Sequence, residues 1–326
     1  MTEITQPTRA ATTARRFGEG GPIVLLAILA ALCLAISFGS NRFYSEENII
    51  AILRQCSLVL IIACGMTMLL IAAEVDLSVG ASLAFAGVIA MDVTNNTHSV
   101  ALGALAGIGF GGFVGLVNGL IVTRLRVNSL IATIATMMIL QGAVFLYSRQ
   151  AIQNHHLIAM FTDISTGYFG PVPVPVVIAA VIFVITYVVL RRTVLGRRIY
   201  AVGANRQAAR LSGLNPERLK LLVFVVTGLL TGLTGLILSS LMNAGQPTSG
   251  RGFELAVIAA VILGGTSLTG GRGTLFGTLL GVLILQVINN GIIILGWNQD
   301  LQQVVPGIVI VLATYFDVLR RRTDAR

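Results

Sequence analysis

Apolar residues run along this chain in long stretches, and polar residues are confined mostly to the short connections between them. From Pro22 to Phe316 most stretches reach about sixteen residues or more, close to the length that crosses the hydrocarbon core of a bilayer. No water is present there to satisfy backbone N–H and C=O groups, so such stretches fold as helices. The pattern predicts ten spans: Pro22–Phe38, Asn48–Ala73, Asp76–Met91, Val100–Thr123, Asn128–Tyr147, Pro171–Leu190, Leu221–Asn243, Glu254–Leu268, Thr274–Leu295 and Leu301–Phe316. The third and eighth are short, which marks them as tilted, broken or partly re-entrant. The expected class is therefore an all-α polytopic membrane protein with about ten transmembrane helices.

Residues 1–20, rich in Thr, Ala and Arg and without an apolar period, read as a flexible cytoplasmic tail. Residues 21–319 form the membrane domain, with a cytoplasmic loop over 191–220, and residues 320–326 form a basic tail. Arg15 and Arg16 before the first apolar stretch imitate a signal peptide, but no small-x-small cleavage site follows, so the first span is read as uncleaved.

Composition agrees with this reading. The chain has 326 residues, of which 55% are hydrophobic and 11% charged, whereas a soluble domain carries about 25% charged residues. The net charge of +9 is not a nucleic-acid signature, because no basic stripe is interleaved with exposed aromatics. It reads as topology. With ten spans, one side of the membrane holds Arg9, Arg15, Arg16, Arg124, Arg126, the eight basic residues from Arg191 to Lys220, Arg272, Arg320, Arg321, Arg322 and Arg326. That is 18 of 22, and only Arg42, Arg54, Arg149 and Arg251 face the other way. Cytoplasmic loops keep positive charge, so both termini are expected in the cytoplasm of a bacterial inner membrane. Cys33, Cys56 and Cys64 lie inside apolar stretches without metal or redox spacing, and no metal site is expected.

Glycine is used at helical spacing. Gly103, Gly107, Gly111, Gly115 and Gly119 recur every fourth residue in span four and so line one side of it. Gly228 and Gly232, and Gly273, Gly277 and Gly281, repeat the device. Lipid supplies no hydrophobic drive for helix association, so close backbone approach through small residues has to supply it. Val117–Val122 in span four resembles Ile288–Ile293 in span nine, and the two spans run oppositely. This faint echo points to an inverted internal repeat with a solute path near its interface.

The longest basic connection covers residues 191–216. Asn205 is a good N-cap, Arg206–Leu211 are helix formers and Gly213 suits the C′ position. Asn215 and Pro216 then start the helix of span seven as cap and first residue. A short, stiff, basic helix at the membrane face follows, and its small Ala208 and Ala209 leave room for close approach. Two readings stand at this point: an anchor on anionic lipid, or a docking element for another protein.

Several polar residues sit in or near the spans. Asp76 is placed to cap span three through the Ser78 and Val79 amides. Glu74 is costly near lipid unless paired or wet, and is expected at the interface rather than at the midplane. Asn118, Asn289 and Asn290 either line a solute path, where amides offer donors and acceptors to hydroxyls, or hydrogen-bond between helices. Glu254, beside Arg251 at the outer face, either caps span eight or contacts a partner outside the membrane. A phosphate-binding Gly-x-x-x-x-Gly-Lys-Ser/Thr motif is absent; the sole lysine, Lys220, follows Glu217-Arg218-Leu219. No cofactor is expected on the chain itself.

The stretch Gly196–Asn205, followed by Ala208-Ala209-Arg210-Leu211-Ser212-Gly213, resembles the cytoplasmic loop of ribose-type sugar ABC permeases. Asp76-Leu77-Ser78-Val79-Gly80, Glu254-Leu255, Ile258–Leu268 and Asn290-Gly291 match the same family in collinear order over about residues 41–317. The resemblance implies a type II-like ABC importer permease for a small sugar or sugar-like solute. It implies that Gly203, Asn205, Ala208, Ala209, Arg210 and Gly213 belong to a loop that docks into a groove of a separate ABC ATPase subunit, which uses the ATP. Its implied partners are that ATPase, a periplasmic solute-binding protein, and a second permease copy or a paralogous permease. This chain departs from the family at Ala73-Glu74-Val75, where Gly-Gly-Ile is usual, and at Asn128-Ser129-Leu130, where a Pro-Phe pair is usual. A permease for branched-chain amino acids or nucleosides and a stand-alone secondary transporter are the rival readings.

Overall fold

The computed structural model describes residues 9–155 and 158–324, with side chains placed within 22–312. Helix α1 (Arg9–Gly39) is followed by α2 (Glu46–Ile71), α3 (Val79–Thr97), α4 (Val100–Thr123) and α5 (Ser129–Tyr147). A small cap follows, made of strand β1 (Ile152–Gln153), helix α6 (Ala159–Thr166) and the hairpin β2 (Tyr168–Phe169)–β3 (Val172–Pro173). The chain continues through α7 (Val174–Arg192), α8 (Val194–Ala204), α9 (Arg206–Leu211) and α10 (Pro216–Met242). Strand β4 (Ala244–Gly245) and the helices α11 (Phe253–Leu263), α12 (Leu275–Ile294) and α13 (Leu301–Asp324) complete it.

All ten predicted apolar segments are helical, but they are not ten equal spans. Among the described residues seven helices are long and apolar enough to cross a membrane: α2, α4, α5, α7, α10, α12 and the Pro22–Gly39 part of α1. The expected count of ten is corrected for three physical reasons. Helix α3 ends in Asp92, Asn95, Asn96 and Thr97, so its last turns are polar. Helix α11 has 11 residues, about 16 Å at 1.5 Å per residue, roughly half the hydrocarbon thickness. The apolar part of α13 ends at Leu312 among the described side chains. The tail expected over residues 1–20 lies outside the described residues up to Thr8; from Arg9 the backbone is helical and continuous with α1. The basic tail expected from Arg320 likewise continues α13 to Asp324.

Helix α2 is apolar all round from Leu58 to its end and forms the centre of the bundle, with Ile61, Ile62, Ala63, Cys64, Met66, Leu69, Leu70 and Ile71 wholly buried. It packs on α10, α7, α11 and α12, while α10 packs on α4 and α3. Helix α5 lies on α3 and α4, as α13 lies on α11 and α12. Glycine sets these contacts. A Cβ on Gly111 would strike the backbones of Gly228 and Gly232, and one on Gly115 the backbone of Phe224. Gly103 and Gly107 press on Thr94, Ala90 and Ala86 of α3; Gly277 and Gly281 press on Gly264 and Ala260.

Helix α11 is short because the chain reaches it by folding back into the bundle. After Met242, Asn243 takes a left-handed conformation (φ 51°), and β4 pairs antiparallel with β1, Ile152 opposite Gly245. Gly245 then rests on Val88 and Met91 of α3, and Gly250 on the backbone of Gly80. The segment 243–252 thus runs along α3 before α11 begins. Irregular backbone at this depth is tolerated only where protein covers it.

Candidate functional site

The basic connection folds as its local residues dictate. Thr193 caps α8 through Gly196 N, and Ile199 and Val202 turn into the core while Arg197 and Arg198 stay exposed. Asn205 Oδ1 accepts from Ala208 N at 2.9 Å and starts α9. Gly213, at φ 81°, closes α9 in the left-handed conformation expected at C′. Asn215 Oδ1 accepts from Arg218 N at 3.0 Å and starts α10, with Pro216 in its first turn.

The placement of the predicted docking residues is uneven. Ala208 and Arg210 are exposed, whereas Ala209 is buried at 5% exposure. Gly203 is half-buried, and a Cβ there would meet Ile71 O and Gly271 N, so α8 rests on the C-terminal end of α2. Tyr200 donates to Gly273 O at 2.8 Å, which ties α8 to the loop between α11 and α12. Burial holds the Tyr200 phenol above its ordinary pKa, against a smaller lowering by Arg191, and keeps it a neutral donor.

Three features of this region were not read from the sequence. Helix α8 was not foreseen as a separate element. Leu211 ends α9 with its side chain 90% exposed, an apolar knob flanked by Arg206, Gln207, Ala208 and Arg210. Glu217 accepts from Arg206 at 2.9 Å and also pairs with Arg210, so α9 is strapped to the first turn of α10. Such half-exposed ion pairs contribute at most about 1 kcal/mol each, so their effect here is on orientation rather than stability. The signal for Glu217 was available, since a carboxylate beside an N-cap is the natural partner for nearby arginines.

A second polar cluster lies where α2 hands over to α3. Ala73 takes φ 60°, and Glu74 N bonds back to Leu69 O at 2.9 Å, closing α2. An alanine in that conformation costs about 1 kcal/mol more than glycine, which accounts for the glycine usual there in the resembled family. Residues 74–78 then run irregularly, and their backbone is satisfied by neighbouring helices: Val75 N by Ser129 Oγ at 3.4 Å and Leu77 N by Thr133 Oγ1 at 3.1 Å. Asp76 Oδ1 accepts from Ser78 N at 2.8 Å and Ser78 Oγ at 2.6 Å, just ahead of the first turn of α3, whose N-cap position is Ser78 itself. Glu74 pairs directly with Lys220, both side chains at or below 10% exposure.

The three asparagines are held differently. Asn118, wholly buried on α4, donates to both Asp76 oxygens at 3.3 Å and to Ser78 Oγ at 2.8 Å. Asn290 exchanges amide bonds with Asn48 of α2, at 2.7 Å and 3.1 Å. Asn118 thus ties α4 to the 74–78 linker, and Asn290 ties α12 to α2. The buried side-chain oxygen of Asn289 has no partner among the described residues. Glu254 accepts from Gly252 N at 3.3 Å in the first turn of α11 and lies against Gly80 of α3. It is half-buried, between exposed Arg251 and Leu255.

An all-helical bundle crossed by several long apolar helices, with an irregular polar core and a capped basic helix at one end, defines a multi-pass membrane permease. Residues 48–314 match the family described as "Branched-chain amino acid transport system / permease component", and the chain belongs to that family of ABC importer permeases. It is 38% identical over 300 residues to the ribose import permease protein RbsC of Escherichia coli (strain K12), covering 90% of this chain and 92% of that protein. It is 39% identical over 301 residues to RbsC of Bacillus subtilis (strain 168), covering 91% and 92%. It is also 40% identical over 304 residues to the L-arabinose ABC transporter permease protein AraH of Azospirillum brasilense, covering 93% and 88%. No solved structure matches the chain.

Proposed function

We propose that this chain forms the translocation path of an ATP-driven importer for a small sugar or sugar-like solute, as one of two permease subunits. The second subunit is another copy or a paralogous permease. A separate ABC ATPase docks on α9, and a periplasmic solute-binding protein delivers the solute. The observation that carries the docking reading is the exposure of Leu211 and Ala208 on a helix capped at Asn205 and strapped to α10 through Glu217. Such a helix transmits a push to α10 as one rigid piece. The basic residues of the 191–220 connection and of both chain ends support a cytoplasmic location for all three.

The packing also supports an inverted repeat. Helix α10 seats on the α3–α4 hairpin as α2 seats on α11–α12, and α5 flanks the first hairpin as α13 flanks the second. Each half lends its leading helix to the other half's hairpin, which places the path near their junction. Asn289, with its free side-chain oxygen, and Asn118 are the residues of this set we assign to that region. The sugar reading rests on the relatives named for ribose and L-arabinose; the family's description favours branched-chain amino acids as the second reading.

The test is reconstitution with the ATPase and binding protein. Uptake inhibited by pentoses or hexoses and untouched by leucine is expected, and the reverse overturns the sugar reading. Leu211→Asp should abolish co-purification of the ATPase; normal co-purification sinks the docking surface.

A further inference from the structure

Lys220 is the only lysine of the chain, and it is buried. Its amine pairs with Glu74, which is buried too. The two groups belong to different parts of the bundle: Glu74 to the irregular linker that feeds α3, and Lys220 to the second turn of α10. Ionisable groups inside a membrane bundle are costly, and an apolar pair of the same volume is commonly as good for stability. Stability alone therefore gives no reason for this pair.

Its position does. Lys220 lies three residues beyond Glu217, about 4.5 Å along α10. Glu217 holds Arg206 and Arg210 of α9. The first two turns of α10 thus carry one electrostatic tie outward to the exposed basic helix and one inward to the 74–78 linker. Beyond Glu74 the linker is threaded through bonds to Ser129, Thr133 and Asn118, and Asp76 and Ser78 deliver it into α3. Helix α3 in turn bears the backbone of Gly250 and the side chain of Glu254 at its first turn. A continuous set of contacts runs from the surface of α9 to the fold-back segment of the bundle; α10 also packs on α3 further along, where Gly235 meets Gly87, and the Glu74–Lys220 pair is the ion pair that joins the first turns of α10 to the linker.

We propose that the Glu74–Lys220 pair is a positioning contact for transport: it hands displacement of α9 and α10 to the 74–78 linker and so ties motor turnover to opening of the path. This rests on the importer reading above. When the pair is lost, α10 moves without drawing the linker, and nucleotide is hydrolysed without matching solute passage.

The experiment uses the importer assembled from this chain, its ATPase and its solute-binding protein in proteoliposomes, with solute moved per ATP hydrolysed as the readout. Lys220→Met and Glu74→Gln should each lower that ratio about tenfold, within the range of ordinary couplings between sites, while ATP hydrolysis stays within about twofold. Because a single substitution strands one buried charge and can prevent assembly, the decisive variant is the neutral double, Glu74→Gln with Lys220→Met, which leaves none. It should assemble and melt like the parent yet keep the lowered ratio. The exchanged pair, Glu74→Lys with Lys220→Glu, should recover most of the ratio. A neutral double with the parental ratio overturns the proposal and leaves the pair a packing device. A parent chain that retains no ATPase overturns the importer reading instead, so the two failures are distinguishable.

Discussion

In the α3–α4 hairpin, Gly103 and Gly107 rest on the backbone of Ala90 and Ala86; in the α11–α12 hairpin, Gly277 and Gly281 rest on Gly264 and Ala260. The packing device is the same, but the polar load is not. The lead-in to the first hairpin carries Glu74 and Asp76, both buried and both bonded across helices. The second hairpin is joined to its neighbour α2 by the neutral Thr67–Thr278 hydroxyl bond at 2.8 Å. The first turn of α11 supplies Glu254, which faces the opposite hairpin at Gly80. Glycine thus supplies closeness within both hairpins and, where Gly111 meets Gly228 and Gly232, between the halves, while the buried Glu74–Lys220 pair adds a charged tie between them.

The largest effect is expected from filling either glycine seam. Gly107→Leu and Gly281→Leu each drive a side chain into a backbone carbonyl and should cost about 3 kcal/mol or more. Loss of the monodisperse peak in size-exclusion chromatography of the solubilised protein checks this. If one hairpin tolerates the change, the two are not packed by the same device.

A smaller effect separates their polar loads. Asn118→Ala strips Asp76 and Ser78 of a buried donor and should cost about 1–3 kcal/mol. Thr278→Val removes one interhelical hydroxyl bond, worth about 0.6 kcal/mol in a bilayer. Melting temperatures in one lipid mixture rank the two, and equal losses would break the contrast.

The smallest effect marks the boundary of the seam. Gly109 and Gly142 have open space where a Cβ would stand, so Gly109→Ala and Gly142→Ala should leave stability unchanged or raise it by up to about 1 kcal/mol through helix propensity, read as an unchanged or higher melting temperature. A loss at Gly109 would show that the seam wraps further around α4.

The periodic glycines of α4 and the caps at Asn205 and Asn215 were legible because each depends on residues within a turn or two of itself. The same locality made Gly213 readable as a terminator. The ten-span count failed where length stopped being a local matter: Glu254–Leu268 is apolar enough to suggest a span, but the helix starts only after residues 243–252 have folded back along α3. The pairing of Glu74 with Lys220 was invisible for the same reason, since 146 residues separate them. Glu74 stood out as a charge in need of a partner; nothing local said which.

The solitary, shielded amine of Lys220 also decides how this chain answers protein chemistry. Apart from the chain's own N-terminal amine, an acylating reagent has one nitrogen to attack, and at 6% exposure it is screened. Amine-directed cross-linkers, dyes and lysine-specific proteases will therefore pass the resting protein by at that position, whatever the abundance of basic residues suggests. Digestion at basic residues has to proceed through its arginines, and an acyl mark found on Lys220 is a record that the bundle had opened around it.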